Sequence, residues 1–99
     1  MIELFGMSSH NVYKVAIMLE ECGLDWTVRH VNIWAEEQFE LAYRSIAPNC
    51  KVPAIVDHDG PGGEPFALSE SGAILLYLAE KTGALLPATL AERARVAEW

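Results

Sequence analysis

Two short segments carry residue types that can bind a small charged molecule: Val52-Pro53 and Glu70-Ser71. Pro53 lacks a backbone N–H and favours an edge strand or the first position of a strand. If the preceding bond is cis, the N–H and C=O of Val52 are left free, and an extended peptide can pair with them as an added strand. Glu70 can bind an ammonium group, while Ser71 and the unpaired N–H groups of a helix N-terminus can bind a carboxylate. Together the segments predict an amino-acid-like or peptide ligand.

Composition limits the classes of function. The 99 residues suffice for one compact domain, and 52% of them are hydrophobic, which is ample for a core. The formal net charge of -7 argues against phosphate contacts, so we expect no nucleic-acid partner. No apolar run reaches the ~18 residues of a membrane span. The N-terminus enters a strand-like pattern without a basic start, so we expect a cytoplasmic protein with no membrane partner.

The two cysteines, Cys22 and Cys50, form no Cys-x-x-Cys pair. The sequence therefore predicts neither a zinc site nor an internal redox dithiol. Any redox activity would need thiols from another molecule.

Hydrophobic periodicity and turn residues predict a β-α-β unit, a short helix, and a final β-β-α unit. The predicted strands cover residues 2–5, 26–33, 53–56 and 65–68, and the predicted helices cover 11–22, 36–45 and 71–82. The last two strands are separated by a linker too short for a parallel crossover, so they must form an antiparallel hairpin. The prediction is an α/β, thioredoxin-like fold with a mixed four-stranded sheet and helices on both faces.

Apolar positions predict which helix faces are buried. In the second helix we expect Phe39, Leu41 and Ala42 to contact the core. The third helix is apolar nearly all round, so it needs cover on two sides. We expect a second domain to cover its face formed by Ile74, Leu75 and Leu78.

The C-terminal segment predicts the start of that second domain. Thr89-Leu90-Ala91-Glu92 is a capping box that opens a helix running to Trp99 without a terminating signal. We therefore expect residues 1–84 to form the thioredoxin-like domain. Residues 85–99 would be a linker and the first helix of an all-α C-terminal domain that the 99 residues only begin.

Two longer motifs resemble a known family: Ile46-Ala47-Pro48-Asn49-Cys50-Lys51-Val52-Pro53-Ala54-Ile55 and Glu70-Ser71-Gly72-Ala73-Ile74-Leu75-Leu76-Tyr77-Leu78-Ala79. They are similar to the N-terminal, glutathione-binding domain of cytosolic glutathione transferases. The run Asp59-Gly60-Pro61-Gly62-Gly63-Glu64-Pro65, with Gln38-Phe39, is most similar to the bacterial nu class.

The resemblance implies a glutathione site. Val52, before a cis Pro53, would pair its main chain with the cysteinyl unit, and Glu70 and Ser71 would hold the γ-glutamyl group. Lys51 and Gln38 would reach the glycyl carboxylate. Ser9 and Asn11 would contact the sulfur, although both are also good helix-capping residues, and Ser8-Ser9 is similar to the zeta class, in which a serine takes this role.

The resemblance also implies an activity. Glutathione would be a co-substrate, with no metal, and its thiol would be activated for transfer to a hydrophobic electrophile or for reduction of a disulfide. The full-length protein would be a homodimer. The alternative is a non-catalytic module of the same fold that binds glutathione or a protein partner.

Overall fold

A four-stranded sheet with the strand order β2-β1-β3-β4 forms the centre of the molecule. The computed structural model describes residues 1–84 and 87–98. Strand β1 (Ile2–Gly6) runs parallel to β2 (Trp26–His30) and antiparallel to β3 (Ala54–Asp57), which pairs antiparallel with β4 (Phe66–Ser69). The helices are α1 (His10–Glu21), α2 (Leu41–Arg44), α3 (Ser71–Thr82) and α4 (Leu90–Glu98). The predicted mixed, thioredoxin-like arrangement is confirmed.

Side chains alternate across the sheet and create a core on each face. The larger core joins β1 and β3 to α1 and α3; its buried members are Ile2, Leu4, Val12, Val15, Leu19, Ile55, Ile74 and Leu78. The smaller core lies on the opposite face and includes Tyr43 of α2; its other buried members are Val31, Ala47 and Ala54. Successive β3 residues Ala54 and Ile55 thus serve different cores.

The predicted helix over 36–45 is wrong for most of its length. The segment instead forms two 3₁₀ turns, Ile33–Ala35 and Glu37–Phe39, and only Leu41–Arg44 is α-helical. The Asn32 side chain accepts hydrogen bonds from the N–H groups of Trp34 and Ala35, which starts a tight turn and ends β2 before the predicted residue 33. Glu36, with φ of 60°, then interrupts the helical path.

The predicted core contacts of this segment are also wrong. Phe39 is 55% exposed and Leu41 is 80% exposed, and Ala42 is exposed as well. Tyr43 is buried instead, because the short helix turns that residue toward Phe5 of the sheet.

The expectation that a second domain covers one face of α3 is wrong for two of its three residues. Ile74 and Leu78 are fully buried within this domain, where they pack in the same core as α1, so they need no second domain to cover them. Leu75 is half-buried. Among the large apolar side chains of α3, Leu76 is exposed, at 49%.

The buried Asp57 connects the end of β3 to α3. Its carboxylate accepts hydrogen bonds from the Lys81 ammonium at 2.7 Å, the Tyr77 hydroxyl at 2.6 Å and the Asp59 N–H at 2.9 Å. Burial raises the pKa of Asp57, but the hydrogen bonds from Lys81, Tyr77 and the Asp59 N–H, together with the positive charge of Lys81, lower it more, so it lies below its ordinary value. Burial and the bond to Asp57 raise the pKa of Tyr77.

The capping residue predicted for the last helix is confirmed. The Thr89 hydroxyl accepts a hydrogen bond from the Glu92 N–H at 3.2 Å, and α4 begins at Leu90. Leu85, Leu86 and Trp99 lie outside the described residues, and the division of the chain after residue 84 stays a prediction. None of the described helices combines the length and the apolar composition that crossing a bilayer requires.

Candidate functional site

The strand register brings three loop segments to one end of the sheet. Ala54 of β3 lies opposite Phe5 of β1 and opposite Ser69 of β4. The residues that follow β1, precede β3 and follow β4 are therefore neighbours. These are the start of α1, the Val52-Pro53 segment and the start of α3.

A cleft of about 180 Å³ lies where these segments meet. Its lining residues are Asn11, Asn49, Lys51, Val52, Pro53, Ser69, Glu70 and Ser71. Six of the eight side chains predicted from the sequence thus line one cleft. Ser9 and Gln38 are not among its lining residues.

Lys51-Val52-Pro53 presents free main-chain groups to the cleft. The Val52–Pro53 bond is cis, as predicted, and Pro53 is buried. The Tyr43 hydroxyl donates a hydrogen bond to the Lys51 carbonyl, which anchors the segment on the smaller core. Neither the N–H nor the C=O of Val52 hydrogen-bonds to any residue that the structure describes. An extended ligand can therefore pair with it.

Tyr43 keeps its proton over a wide pH range. Burial, and to a lesser extent electrostatic repulsion from the nearby Cys50, raise the pKa of Tyr43 to about 12. The hydroxyl therefore remains a donor to Lys51 at every pH at which such a protein operates.

Glu70 and Ser71 form the start of α3. Glu70 occupies the N-cap position with a φ of 73°, a region that non-glycine residues rarely adopt, and its side chain makes no capping bond. The Glu70 carbonyl accepts the first bond of the helix, from the Ile74 N–H, so the N–H groups before Ile74 have no partner within the helix. The Asn49 amide donates a hydrogen bond to Glu70 Oε1 at 3.1 Å. Glu70 thus offers a negative charge, and the helix start offers anion-binding N–H groups.

Ser9 and Asn11 take different places at the start of α1. Ser9 is the N-cap, and its hydroxyl accepts a hydrogen bond from the Val12 N–H at 3.4 Å. A serine hydroxyl that accepts can still donate its proton. Asn11 lines the cleft, and its Oδ1 accepts a hydrogen bond from the Lys14 ammonium at 3.1 Å. With Oδ1 engaged, the Nδ2 group is the donor that Asn11 can present to a ligand.

Gln38 lies in the second 3₁₀ turn. Its Oε1 atom is buried and has no hydrogen-bond partner among the described residues. Because the segment is not the regular helix that the sequence predicted, the position of this side chain could not be inferred beforehand.

Sequence reasoning missed Asn49 and Ser69 as lining residues. The predicted hairpin came close to Ser69, because the predicted strand ends at residue 68 and the observed register pairs Ser69 with Ala54, the residue after Pro53. The position of Asn49 in the cleft depends on the turn before Lys51, in which Cys50 has a φ of 56°. No sequence pattern predicted that turn.

Comparison with known proteins agrees with this geometry. The sequence model of the family described as "Glutathione S-transferase, N-terminal domain" matches residues 8–81. The curated relative "Disulfide-bond oxidoreductase YfcG" of Escherichia coli (strain K12) is 47% identical over 100 residues, which cover all of this chain and 46% of that protein.

Solved structures are also similar. A glutathione transferase family member from Pseudomonas fluorescens, crystallised with two glutathione molecules bound, superposes with a TM-score of 0.94 at 45% identity; the match covers 99% of this chain and 43% of that one. A glutathione transferase from Pseudomonas putida, with one glutathione disulfide per subunit, gives a TM-score of 0.94 at 44% identity, with the same coverage of both chains.

The chain thus spans less than half of the length of these relatives. The family match covers both sides of the cleft, from the loop before α1 to the end of α3. The chain belongs to the glutathione S-transferase family and corresponds to its N-terminal domain.

Proposed function

We propose that the cleft binds glutathione and that the protein activates the glutathione thiol for transfer to an electrophile or for reduction of a disulfide. The observation that carries the proposal is the convergence of Val52, Glu70-Ser71 and Asn11 on one cleft. Glutathione has an extended peptide unit, a zwitterionic γ-glutamyl end and a thiol between its two ends. The named relatives from Pseudomonas, which were crystallised with glutathione or its disulfide, support the assignment.

Each part of glutathione has a proposed partner. The cysteinyl unit pairs with the free main chain of Val52, beside Pro53. The γ-glutamyl ammonium binds Glu70, and its carboxylate binds Ser71 and the first N–H groups of α3. The glycyl carboxylate binds Lys51, with Gln38 as the second donor.

Asn11 is the proposed donor to the sulfur, with Ser9 as the second. A free thiol has a pKa of about 8.5, and lowering it by two units requires about 2.7 kcal/mol of preferential stabilisation of the thiolate. A hydrogen bond to an ionised group contributes roughly 1.5–3 kcal/mol. The N-terminus of α1 adds about 0.3–1 kcal/mol. These contributions suffice, so no general base is needed.

The thiolate then reacts in one of two ways. With an electrophile, the sulfur forms a bond to carbon and the leaving group departs with its electron pair. With a disulfide, the sulfur attacks one sulfur atom, forms a mixed disulfide and releases a thiolate; a second glutathione then yields glutathione disulfide and the second thiol. The second route suits a chain without a Cys-x-x-Cys pair, because both thiols come from glutathione.

Two measurements test the proposal. We expect saturable glutathione binding by calorimetry, and turnover of a chlorinated aromatic or of hydroxyethyl disulfide that falls in Asn11→Ala. Ser9→Ala is the matched variant, and a larger loss there than in Asn11→Ala would reassign the sulfur contact. Binding without turnover on a wide substrate panel would support the non-catalytic alternative, and absence of glutathione binding would refute the proposal.

We also propose that the full-length protein is a homodimer in the cytoplasm, with a hydrophobic second substrate. A reduced glutathione pool, which the reaction requires, is found in that compartment. The homodimer is the assembly that the family resemblance implies. Sedimentation equilibrium of the full chain tests it, and a monomer at micromolar concentration would contradict it.

A further inference from the structure

Asn49 and Glu70 form a contact between two lining segments of the cleft. The Asn49 Nδ2 group lies 3.1 Å from Glu70 Oε1, and the residues are 21 positions apart in the sequence. Asn49 precedes the Val52 segment, and Glu70 opens α3. The bond therefore joins the peptide-pairing side of the cleft to its zwitterion-binding side.

This contact contributes little to folding. Both side chains are exposed, and a hydrogen bond between exposed groups replaces bonds that each would make to water. Its importance lies in orientation. The backbone at Glu70 has a φ of 73°, which fixes the direction in which the side chain leaves the main chain, but the carboxylate can still rotate.

The hydrogen bond from Asn49 restricts the rotation of the Glu70 carboxylate. With Oε1 accepting from the Asn49 amide, Oε2 is the oxygen that keeps all of its lone pairs for a ligand. An amide is suited to this task because it donates a hydrogen bond without adding a positive charge, which would compete with a ligand ammonium for Glu70. The Lys51 ammonium, by contrast, is left for an anionic group.

We propose that Asn49 is a positioning residue that holds the Glu70 carboxylate toward the amino group of the ligand, and so contributes to selectivity for a free γ-glutamyl ammonium. This inference rests on the proposed function, since it concerns the same cleft. Asn49 acts through Glu70 on binding and not on the sulfur. The ground state and the transition state share the ammonium contact, so loss of Asn49 raises KM and leaves kcat unchanged.

The test compares two ligands on the full chain by titration calorimetry: glutathione, and its deamino analogue, in which the γ-glutamyl ammonium is replaced by hydrogen. For Asn49→Ala we expect about three- to tenfold weaker binding of glutathione and a change below about twofold for the analogue. Asn49→Gln keeps an amide donor on a longer side chain and should recover part of the loss. In the background of Glu70→Ala, removing Asn49 should have no further effect on glutathione binding.

The outcomes separate this inference from the proposed function. If the unmodified protein does not bind glutathione, the proposed function and this inference both fail. If it binds glutathione but Asn49→Ala weakens both ligands equally, or acts additively with Glu70→Ala, or changes nothing, only the role of Asn49 is overturned. Because Asn49 is exposed, we expect the variant to fold, and its circular dichroism verifies this.

Discussion

Replacing Lys81 with methionine should destabilise the fold in a strongly pH-dependent way. The substitution keeps the apolar stem of the side chain and removes the ammonium that lies 2.7 Å from Asp57 Oδ2. The Asp57 side chain is 1% exposed, whereas that of Lys81 is 25% exposed. The buried carboxylate would therefore lose its only cation contact among the described residues.

The expected magnitude follows from the remaining contacts. Breaking a buried ion pair costs about 3–5 kcal/mol. Asp57 keeps the hydrogen bonds from Tyr77 and the Asp59 N–H, and the ammonium that is lost was partly hydrated. We therefore expect Lys81→Met, which also removes the hydrogen bond from the ammonium to the Asp59 carbonyl, to reduce the free energy of unfolding by about 2–3 kcal/mol at pH 7.

The sign of the pH dependence can be derived from the shifted pKa. In the native protein the pKa of Asp57 lies below its ordinary value of about 3.9, so its stabilisation is present above that pH and is lost as the pH falls through the folded-state pKa. Without Lys81, Asp57 loses a hydrogen bond and a positive charge, both of which lower its pKa, while burial still raises it. Asp57 then protonates at a higher pH in the variant. The difference in stability between the two proteins should be largest at neutral pH and should shrink toward pH 3.

Urea unfolding at several pH values measures this difference, with the slope m checked for constancy. Lys14→Met is the matched control, because the one side-chain hydrogen bond of Lys14 within residues 1–84 and 87–98 is with the exposed Asn11, and its loss should change stability by less than about 0.5 kcal/mol. A Lys81→Met penalty that is as small as the control's, or that does not change between pH 7 and pH 3, would refute the reasoning.

Three further predictions follow from the site and its supports. Tyr43→Phe removes the donor to the Lys51 carbonyl and should cost about 1 kcal/mol of stability and weaken glutathione binding; an unchanged binding constant would contradict the anchoring role. Because the pKa of Tyr43 is raised to about 12, its stabilising effect should be complete below pH 10 and disappear as the pH rises through about 12. Alkaline unfolding of the two proteins measures this pH dependence. Asn11→Asp places a carboxylate beside the bound sulfur and should raise the pKa of the bound glutathione thiol by at least about one unit. The ultraviolet absorbance of the thiolate measures this pKa, and a lowered value would show that Asn11 does not contact the sulfur. Glu36→Gly removes the steric cost of a non-glycine residue with a φ of 60° and should raise the free energy of unfolding in urea by about 0.5–1 kcal/mol. A lower free energy of unfolding would show that the Glu36 side chain makes a contact that offsets its backbone cost.

Local signals predicted most of the secondary structure correctly. The periodicity of α1, the glycine after α3 and the short linker between β3 and β4 each depend on neighbours in sequence, and each was confirmed. The segment after β2 was not predictable in this way. Asn32 and Glu36 form tight turns there whose geometry depends on side-chain hydrogen bonds and on a left-handed residue.

The sequence by itself determined the β-α-β and β-β-α units, the ends of α1 and α3, and most of the residue types that a binding cleft for a peptide zwitterion requires. These follow from hydrophobic periodicity, breaker residues and capping chemistry, which act over a few neighbouring residues. Only the tertiary structure decided that Asn11, and not Ser9, lines the cleft, and that Asn49 meets Glu70. Those outcomes depend on strand register and on the direction of side chains across the fold, because contacts between distant segments form only when the whole sheet is assembled.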